Sequence, residues 1–183
     1  MNPVQIQDVY SLRRNHDECE VMTFCNATAD HSLLYKFNGQ IISDWIAPAV
    51  VFDRTKSQKI SDFPIFSVHV PVFSKKAVQC MEEILLTHGQ ILPLKCERDE
   101  YFAYNVTTVI DAIDEEKSEI IRIPTGKIVH VTKFVLNDDK LTGNSIFKLK
   151  HLELMEVFVT GDFVERVAQN NLSGFDFCKI DRS

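Results

Sequence analysis

Short apolar runs separated by polar and turn residues dominate the first third of the chain, and this pattern predicts strands. The predicted strands are Val9–Leu12, Val21–Phe24, Leu33–Phe37 and Ala49–Phe52. The dipeptide Asn38-Gly39 predicts a hairpin, because both residues tolerate the positive φ of a tight turn. After the turn residues Asp62-Phe63-Pro64, we predict a further strand at Ile65–Pro71.

One segment in the middle of the chain has helical periodicity. Met81, Leu85 and His88 recur at spacings of four and three residues, which places them on one helix face. Ser74 has the hydroxyl side chain favoured at an N-cap, and Gly89 is the residue type that commonly follows a helix. We therefore predict a helix from Ser74 to His88.

The second half of the chain mixes strand and helix patterns. Its predicted strands are Ile91–Leu94, Tyr101–Asn105, Glu119–Ile123, Lys127–Leu136 and Phe175–Ile180, and the first two flank the charged turn Glu97-Arg98-Asp99-Glu100. We predict a short helix at Thr107–Glu115 and a final helix with Thr160 as its N-cap. Because strands and helices do not alternate regularly, we predict an α+β fold with a largely antiparallel sheet and about three helices. We expect residues 1–183 to form a single domain, with residues 1–62 as its β-rich N-terminal part.

The charge balance is acidic, with 20 Lys and Arg residues, 26 Asp and Glu residues and a formal net charge of −6. Basic residues form only short clusters, such as Arg13-Arg14 and Lys75-Lys76. A nucleic-acid-binding protein needs a basic stripe that displaces counterions from phosphates, so we predict no nucleic-acid partner. An acidic surface suits a basic protein partner, and it also serves solubility.

The N-terminus and the cysteines indicate the compartment. Residues Met1–Asp8 lack the basic start and apolar stretch of a signal peptide. The longest apolar run, Ile46–Phe52, is short and contains Pro48, so we predict no membrane span. The five cysteines are scattered and form no C-x-x-C pair, which is typical of thiols in a reducing compartment. We therefore expect a cytoplasmic protein.

The chain has no recognisable motif for a cofactor or a catalytic metal. Its six glycines stand apart, whereas phosphate-binding loops need clustered glycines. No histidine has a second ligand at zinc-motif spacing. A site assembled from distant residues, for instance Cys96 with His130, stays open, but a buried thiol and a strand histidine are the simpler interpretation. We predict no cofactor, no metal site and no catalytic residue.

The densest acidic group consists of Asp111, Asp114, Glu115, Glu116 and Glu119. On the predicted helix, Asp111 would share a face with Asp114 or Glu115. Paired carboxylates suit magnesium or calcium, but the glycine and ligand spacing of an EF-hand are absent, and a solvated helix end is simpler than a metal site. We predict that these five residues contact a basic protein partner.

Trp45 is the single tryptophan and lies beside a turn, between Asp44 and Pro48. A lone tryptophan can anchor a protein interface. Burial in the core with a hydrogen-bonded indole is the simpler interpretation, because this side chain has a large area to bury.

Between Phe63 and Phe177 the chain contains short phrases in a distinctive order. These are Pro71-Val72-Phe73-Ser74, Ile91-Leu92-Pro93-Leu94, Glu100-Tyr101-Phe102-Ala103-Tyr104, Asp111-Ala112-Ile113-Asp114, Ile146-Phe147-Lys148-Leu149, Val157–Val167 and Leu172-Ser173-Gly174-Phe175. The series resembles the eleventh immunity-protein family of bacterial polymorphic toxin systems, formerly a domain of unknown function. The resemblance extends upstream through Gly39 and Asp44-Trp45.

This resemblance implies an α+β domain that is encoded beside a toxin gene and neutralises the toxin by binding it. It implies no catalytic role for any residue. Because an immunity protein must meet its toxin where damage occurs, a cytoplasmic protein implies an intracellular target. Candidate toxins are nucleases, nucleic-acid deaminases and enzymes that consume NAD or transfer ADP-ribose.

Two other functions stay open at this point. An enzyme that reverses the toxin's modification would use Cys96, His130 or Asp114, the positions to substitute first. An adaptor protein unrelated to toxins would lack a toxin gene beside its own.

Overall fold

The computed structural model describes residues 8–15, 19–25, 31–53 and 59–180. Over these ranges the protein has the predicted α+β fold, in which strands predominate. The strands are β1 Val9–Arg14, β2 Met22–Phe24, β3 Ala49–Phe52, β4 Val72–Ser74, β5 Gly89–Pro93, β6 Lys95–Cys96, β7 Tyr101–Val106, β8 Val109–Ile110, β9 Glu119–Arg122, β10 Ile128–Lys133, β11 Ile146–Leu149, β12 Phe158–Thr160 and β13 Phe175–Lys179.

The α-helices are α1, Lys75–His88, and α2, Gly161–Gln169. Ser74 caps α1 as predicted, since its Oγ accepts a hydrogen bond from the Ala77 amide at 3.1 Å. The same hydroxyl donates to Asp62 at 2.7 Å, which ties the start of α1 to the preceding turn. Thr160 precedes α2 as its N-cap residue, also as predicted. Two short 3-10 helices lie at His31–Lys36 and Asp138–Lys140.

Across the described residues the strands form sheets that are mostly antiparallel. The largest has the order β13-β1-β12-β11-β8, so β1 lies between two strands from the end of the chain. The orders β4-β7-β5 and β2-β3-β6 give two three-stranded sheets, and β9 and β10 form a hairpin. The pairs β8 with β11 and β3 with β6 are parallel.

Aromatic packing dominates the core beneath the two α-helices. Phe63 stacks on Phe175 at 4.7 Å between ring centroids and lies 5.4 Å from Phe73. Met81 of α1 and Phe163 of α2 are fully buried in the same cluster. Side chains of α1 and α2 therefore share one core with strands from both ends of the chain.

The predicted strand at Leu33–Phe37 is wrong, because residues His31–Lys36 form a 3-10 helix. Leu33, Leu34 and Phe37 also have the spacing of one helical turn, and Phe37 is buried. The predicted Asn38-Gly39 hairpin is wrong as well. Gly39 has a positive φ of 94°, but the chain beyond it runs along β5, where the Ile42 amide donates to the Gln90 side chain at 2.8 Å.

The predicted strand at Ile65–Pro71 is also wrong, since only isolated bridges form there. Three carbonyl groups of this segment accept hydrogen bonds from buried cations. The guanidinium of Arg14 donates to the carbonyls of Ser67 and Val70, the latter at 3.1 Å. The ammonium of Lys148 donates to the His69 carbonyl at 3.1 Å and to the Phe37 carbonyl. Both cations are buried, and Lys148 has no exposed surface.

The predicted helix at Thr107–Glu115 is wrong. Val109 and Ile110 form β8, which pairs in parallel with Lys148 and Leu149 of β11. The amide of Lys148 donates to the Thr108 carbonyl at 2.9 Å, so the backbone bonds that a helix would need are made across the sheet. Tertiary pairing therefore overrides the apolar periodicity of this segment.

Candidate functional site

The five predicted contact residues lie in one loop and at the start of the strand that follows it. We call residues 111–119, between β8 and the beginning of β9, the acidic loop. Two hydrogen bonds shape it, from the Asp114 amide to the Val135 carbonyl and from the Ser118 amide to the Asp114 carbonyl, both at 2.9 Å. Because this is a loop and not a helix, Asp111 does not share a helix face with Asp114 or Glu115, which corrects that expectation.

Four of the five acidic side chains have polar or basic partners. Asp111 pairs with Lys150 and Asp114 with Lys117, each at 2.9 Å. Glu115 pairs with Arg122 at 2.6 Å, and Glu119 accepts a hydrogen bond from the Thr132 hydroxyl at 3.1 Å. Glu116 is exposed.

These pairs change the electrostatics that the sequence suggested. The hydrogen bond from Lys150 lowers the pKa of Asp111, and the hydrogen bond from Lys117 lowers the pKa of Asp114. Both carboxylates are therefore ionised at neutral pH, but each has a cation beside it. The acidic loop thus presents closely spaced charges of both signs rather than a purely negative patch.

An exposed aliphatic face adjoins the acidic loop on the β9–β10 hairpin. Ile121 is 51% exposed, and Ile123 and Val129 are each 41% exposed. On the opposite side of the hairpin, Ile128 and Val131 are buried in a core cluster. We call the side chains of Ile121, Ile123 and Val129 the hairpin face. Exposed apolar side chains bordered by polar ones are typical of protein-binding surfaces.

The hairpin face was not predicted, although the sequence contains a signal for it. Ile120 and Ile121 are adjacent in β9, and adjacent strand residues point to opposite sides of a sheet. In a two-stranded hairpin that packs on the core through one side, one of the two isoleucines has to face solvent.

The residues considered for catalysis lie in separate elements. Cys96 is half-buried in β6, and His130 is exposed in β10, a strand of a different sheet. Asp114 lies in the acidic loop and pairs with Lys117. Within the described ranges, no group of three or more His, Cys, Asp or Glu side chains is arranged to hold a metal ion.

A polar cluster that the sequence analysis missed contains His88, Ser145 and Asp162. The Nε2 atom of His88 accepts a hydrogen bond from the Ser145 amide at 3.3 Å, so Nδ1 carries the proton that it shares with Thr108 at 3.1 Å. The Ser145 hydroxyl donates to Asp162. In a catalytic triad the serine hydroxyl would instead bond to the histidine. The cluster therefore joins α1, β11 and α2 structurally.

Trp45 combines features of both interpretations offered for it. Its indole N–H donates to the Pro93 carbonyl at 2.9 Å, and its ring packs edge-on against Phe37 at 5.8 Å. The side chain is half-buried against a core cluster. Its hydrogen bond anchors the segment that runs along β5.

Comparison with known families adds an observation independent of this geometry. A sequence model of the immunity protein family Imm11 matches residues 92–182. Over this region the chain belongs to the Imm11 family. The Imm11 match contains the acidic loop and most of the strands of the largest sheet. It begins after α1, so the resemblance noted from Phe63 to Ile91 lies outside it.

No curated protein matches the chain. In the described part of the chain, neither α-helix has the length and apolar character that crossing a bilayer requires. In this Imm11 protein, the acidic loop and the hairpin face both lie within the matched region.

Proposed function

We propose that this protein binds a cognate bacterial toxin and neutralises it by covering its working surface, without catalysis of its own. The observation that carries the proposal is the Imm11 match over residues 92–182. An immunity protein protects its own cell from a toxin, and direct binding requires no cofactor or metal.

We assign part of the toxin contact to Asp111, Asp114, Glu115, Glu116 and Glu119, together with the hairpin face. Protein interfaces commonly have an apolar centre and a polar rim, and these two surfaces adjoin in that way. The Glu115–Arg122 pair at 2.6 Å links the acidic loop to β9. Charges of both signs at fixed positions favour one partner and repel others, which is what a cognate pair needs.

We further propose that the protein acts in the cytoplasm. The five cysteines all lie in the described ranges, and no two of them form a disulfide there. Five cysteines without a disulfide fit a reducing compartment, where disulfides rarely persist. The toxin would then act on an intracellular target.

A titration tests the masking mechanism. The toxin encoded beside this gene is purified, and its activity is measured against increasing amounts of this protein. Masking predicts complete inhibition near a molar ratio of one to one, through an interface of about 1,600 Å².

Protection at a small molar fraction would instead indicate an enzyme that reverses the toxin's modification. In that case the variant in which Cys96, His130 and Asp114 are all replaced by alanine should lose protection. No inhibition and no complex at any ratio would leave an adaptor role and contradict the proposal.

A further inference from the structure

A cleft of about 780 Å³ opens where the chain between β5 and β7 leaves its own sheet. This connection includes β6, which pairs in parallel with β3 of the neighbouring sheet through Ala49↔Lys95 and Val50↔Cys96. The cleft is lined by residues from β3, β5, β6 and β7 and by Cys25. We call it the turn cleft, after the charged turn of residues 97–100 that borders it.

The turn cleft has apolar lining and an acidic border. Val50 and Leu94, which are mostly buried, and the half-buried Phe102 all line the cleft. Three carboxylates, Glu97, Asp99 and Glu100, line the same cleft, against the two cations Lys95 and Arg98. The ion pairs around the turn then decide which of these charges are available to a partner.

The Arg98 side chain makes hydrogen bonds and a ring contact within the protein. Its guanidinium donates to both carboxylate oxygens of Glu20, at 2.6 and 2.8 Å, and lies 3.9 Å above the centre of the Phe52 ring. The hydrogen bonds that Arg98 donates to Glu20 raise the pKa of the guanidinium. Glu20 balances the charge of this restrained guanidinium, so Arg98 does not offset the other carboxylates of the cleft border.

The remaining charges leave an excess of carboxylates at the border. Glu100 pairs with Lys75, and Asp99 accepts a hydrogen bond of 3.3 Å from Arg98, whose charge Glu20 already balances. Glu97 and Asp99 are both exposed. Lys95, which also lines the cleft, contributes a positive charge. The border therefore carries more carboxylates than cations, and it lies beside an apolar lining.

The turn cleft is also preorganised. The amide of Lys95 donates to the Pro48 carbonyl at 2.9 Å, and the Leu94 amide donates to the Tyr101 carbonyl at 3.0 Å. Tyr101 is buried and donates its hydroxyl proton to the Ser61 carbonyl at 3.1 Å. A surface that is already fixed binds at a lower entropic cost.

We propose that the turn cleft receives a protruding segment of the cognate toxin that carries an apolar side chain flanked by lysine or arginine. The apolar side chain would bury against Val50, Leu94 and Phe102, and the basic groups would face Glu97 and Asp99. This inference rests on the proposed function, and it adds a second contact to the one assigned to the acidic loop.

Charge reversal in the cleft border tests this inference against the toxin encoded beside this gene. The double variant Glu97→Lys/Asp99→Lys should weaken toxin binding by about tenfold or more at low salt, with less effect as salt rises. The neutral variant Glu97→Gln/Asp99→Asn should weaken it by less. The matched control is Glu82→Lys/Glu83→Lys, which makes the same charge change on the exposed side of α1 and should bind like the wild type. Thermal unfolding of each variant verifies its fold.

A thiol footprint provides a second readout that does not alter the charge. Cys25 is exposed and lines the cleft, whereas Cys80 lies on α1 and Cys178 on β13. Bound toxin should slow the reaction of Cys25 with N-ethylmaleimide but not that of Cys80 or Cys178, as followed by mass spectrometry.

The outcomes separate this inference from the proposed function. If wild-type protein binds the toxin while the cleft variants bind equally well and Cys25 reacts unhindered, the inference is wrong and the proposed function stands. If wild-type protein does not bind the toxin at all, both fail.

Discussion

Buried and exposed charges are stabilised differently in this protein. Inside, among the residues that the structure describes, backbone carbonyls accept the hydrogen bonds that Arg14 and Lys148 donate. Outside, the carboxylates of the acidic loop pair with lysine and arginine side chains that are themselves partly exposed. The interior arrangement holds segments of the fold in place, whereas the exterior arrangement leaves the charges accessible to a partner.

The difference follows from solvation. Burial lowers the pKa of Lys148 to about 8, because the charged ammonium loses its water. A shift from the usual 10.5 corresponds to a folding cost of about 3 kcal/mol at neutral pH. The carbonyls that Lys148 bonds belong to Phe37 and His69, two residues outside regular strands. Exposed pairs carry no comparable cost, and water competes with them.

The largest expected effect comes from removing the Lys148 side chain. Lys148→Ala leaves a cavity and two unsatisfied carbonyls. Their cost should outweigh the free energy gained by removing a buried charge, so the free energy of unfolding should fall by about 3 kcal/mol. Lys148→Met fills the volume and removes the charge, and it should cost less than about 1 kcal/mol. Urea unfolding at neutral pH measures both changes. Equal losses in the two variants would show that the carbonyl bonds, not the volume, decide the effect.

A smaller effect is expected at His88, the buried titratable group that joins α1 to β11. Burial lowers its pKa, and the negative charge of Asp162 opposes this shift only in part. The unfolded chain therefore binds more protons below about pH 6.5, so the folded state loses stability as the pH falls through this range. His69, whose pKa burial also lowers, contributes with the same sign.

Substitution isolates the contribution of His88. His88→Gln keeps a donor and an acceptor but does not titrate. Wild-type protein should be more stable than the variant at pH 7.5, and this difference should shrink at pH 5.5, as measured by urea unfolding at both values. A difference that stays constant or grows on acidification would contradict the buried neutral histidine.

The smallest effect on stability is expected on the surface. Asp111→Asn and Glu115→Gln each remove one exposed ion pair, so the unfolding midpoint should not change measurably. If the acidic loop contacts the toxin, the same variants should dissociate from it faster, because each leaves Lys150 or Arg122 without its partner at the interface. Glu82→Gln, on the exposed side of α1, is the control for a neutralised carboxylate. A clear loss of stability without any change in binding would show that these ion pairs stabilise the fold and do not contact the toxin.

Local signals predicted the elements whose determinants are close in sequence. The helix from Lys75 to His88 was predicted from its cap and its periodicity, and Ser74 does cap it. The two strands of the β9–β10 hairpin were predicted at Glu119–Ile123 and Lys127–Leu136, and Gly126 between them has the positive φ of 85° that its turn requires. Pattern alone failed where a distant strand competes for the backbone, as in β8, which the prediction placed in a helix.

In the candidate site, too, the sequence predicted some features and missed those that depend on distant residues. The sequence identified the five carboxylates of the acidic loop and the charged turn, because acidic residues are visible as such. It did not reveal that Lys150 neutralises Asp111 from 39 residues away, or that Glu20 holds Arg98 from 78 residues away. It also missed the strands at β11 and β12, whose residues are all buried and therefore show no alternation.

By itself, the sequence determined the fold class, the acidic character, the best-capped helix and a family resemblance, since these depend on composition and on neighbours along the chain. Only the tertiary structure decided which charges are buried, which are paired and where an apolar cleft keeps an acidic border. The physical reason is that the energy of a charge depends on the water and partners around it, and folding brings those partners from distant positions.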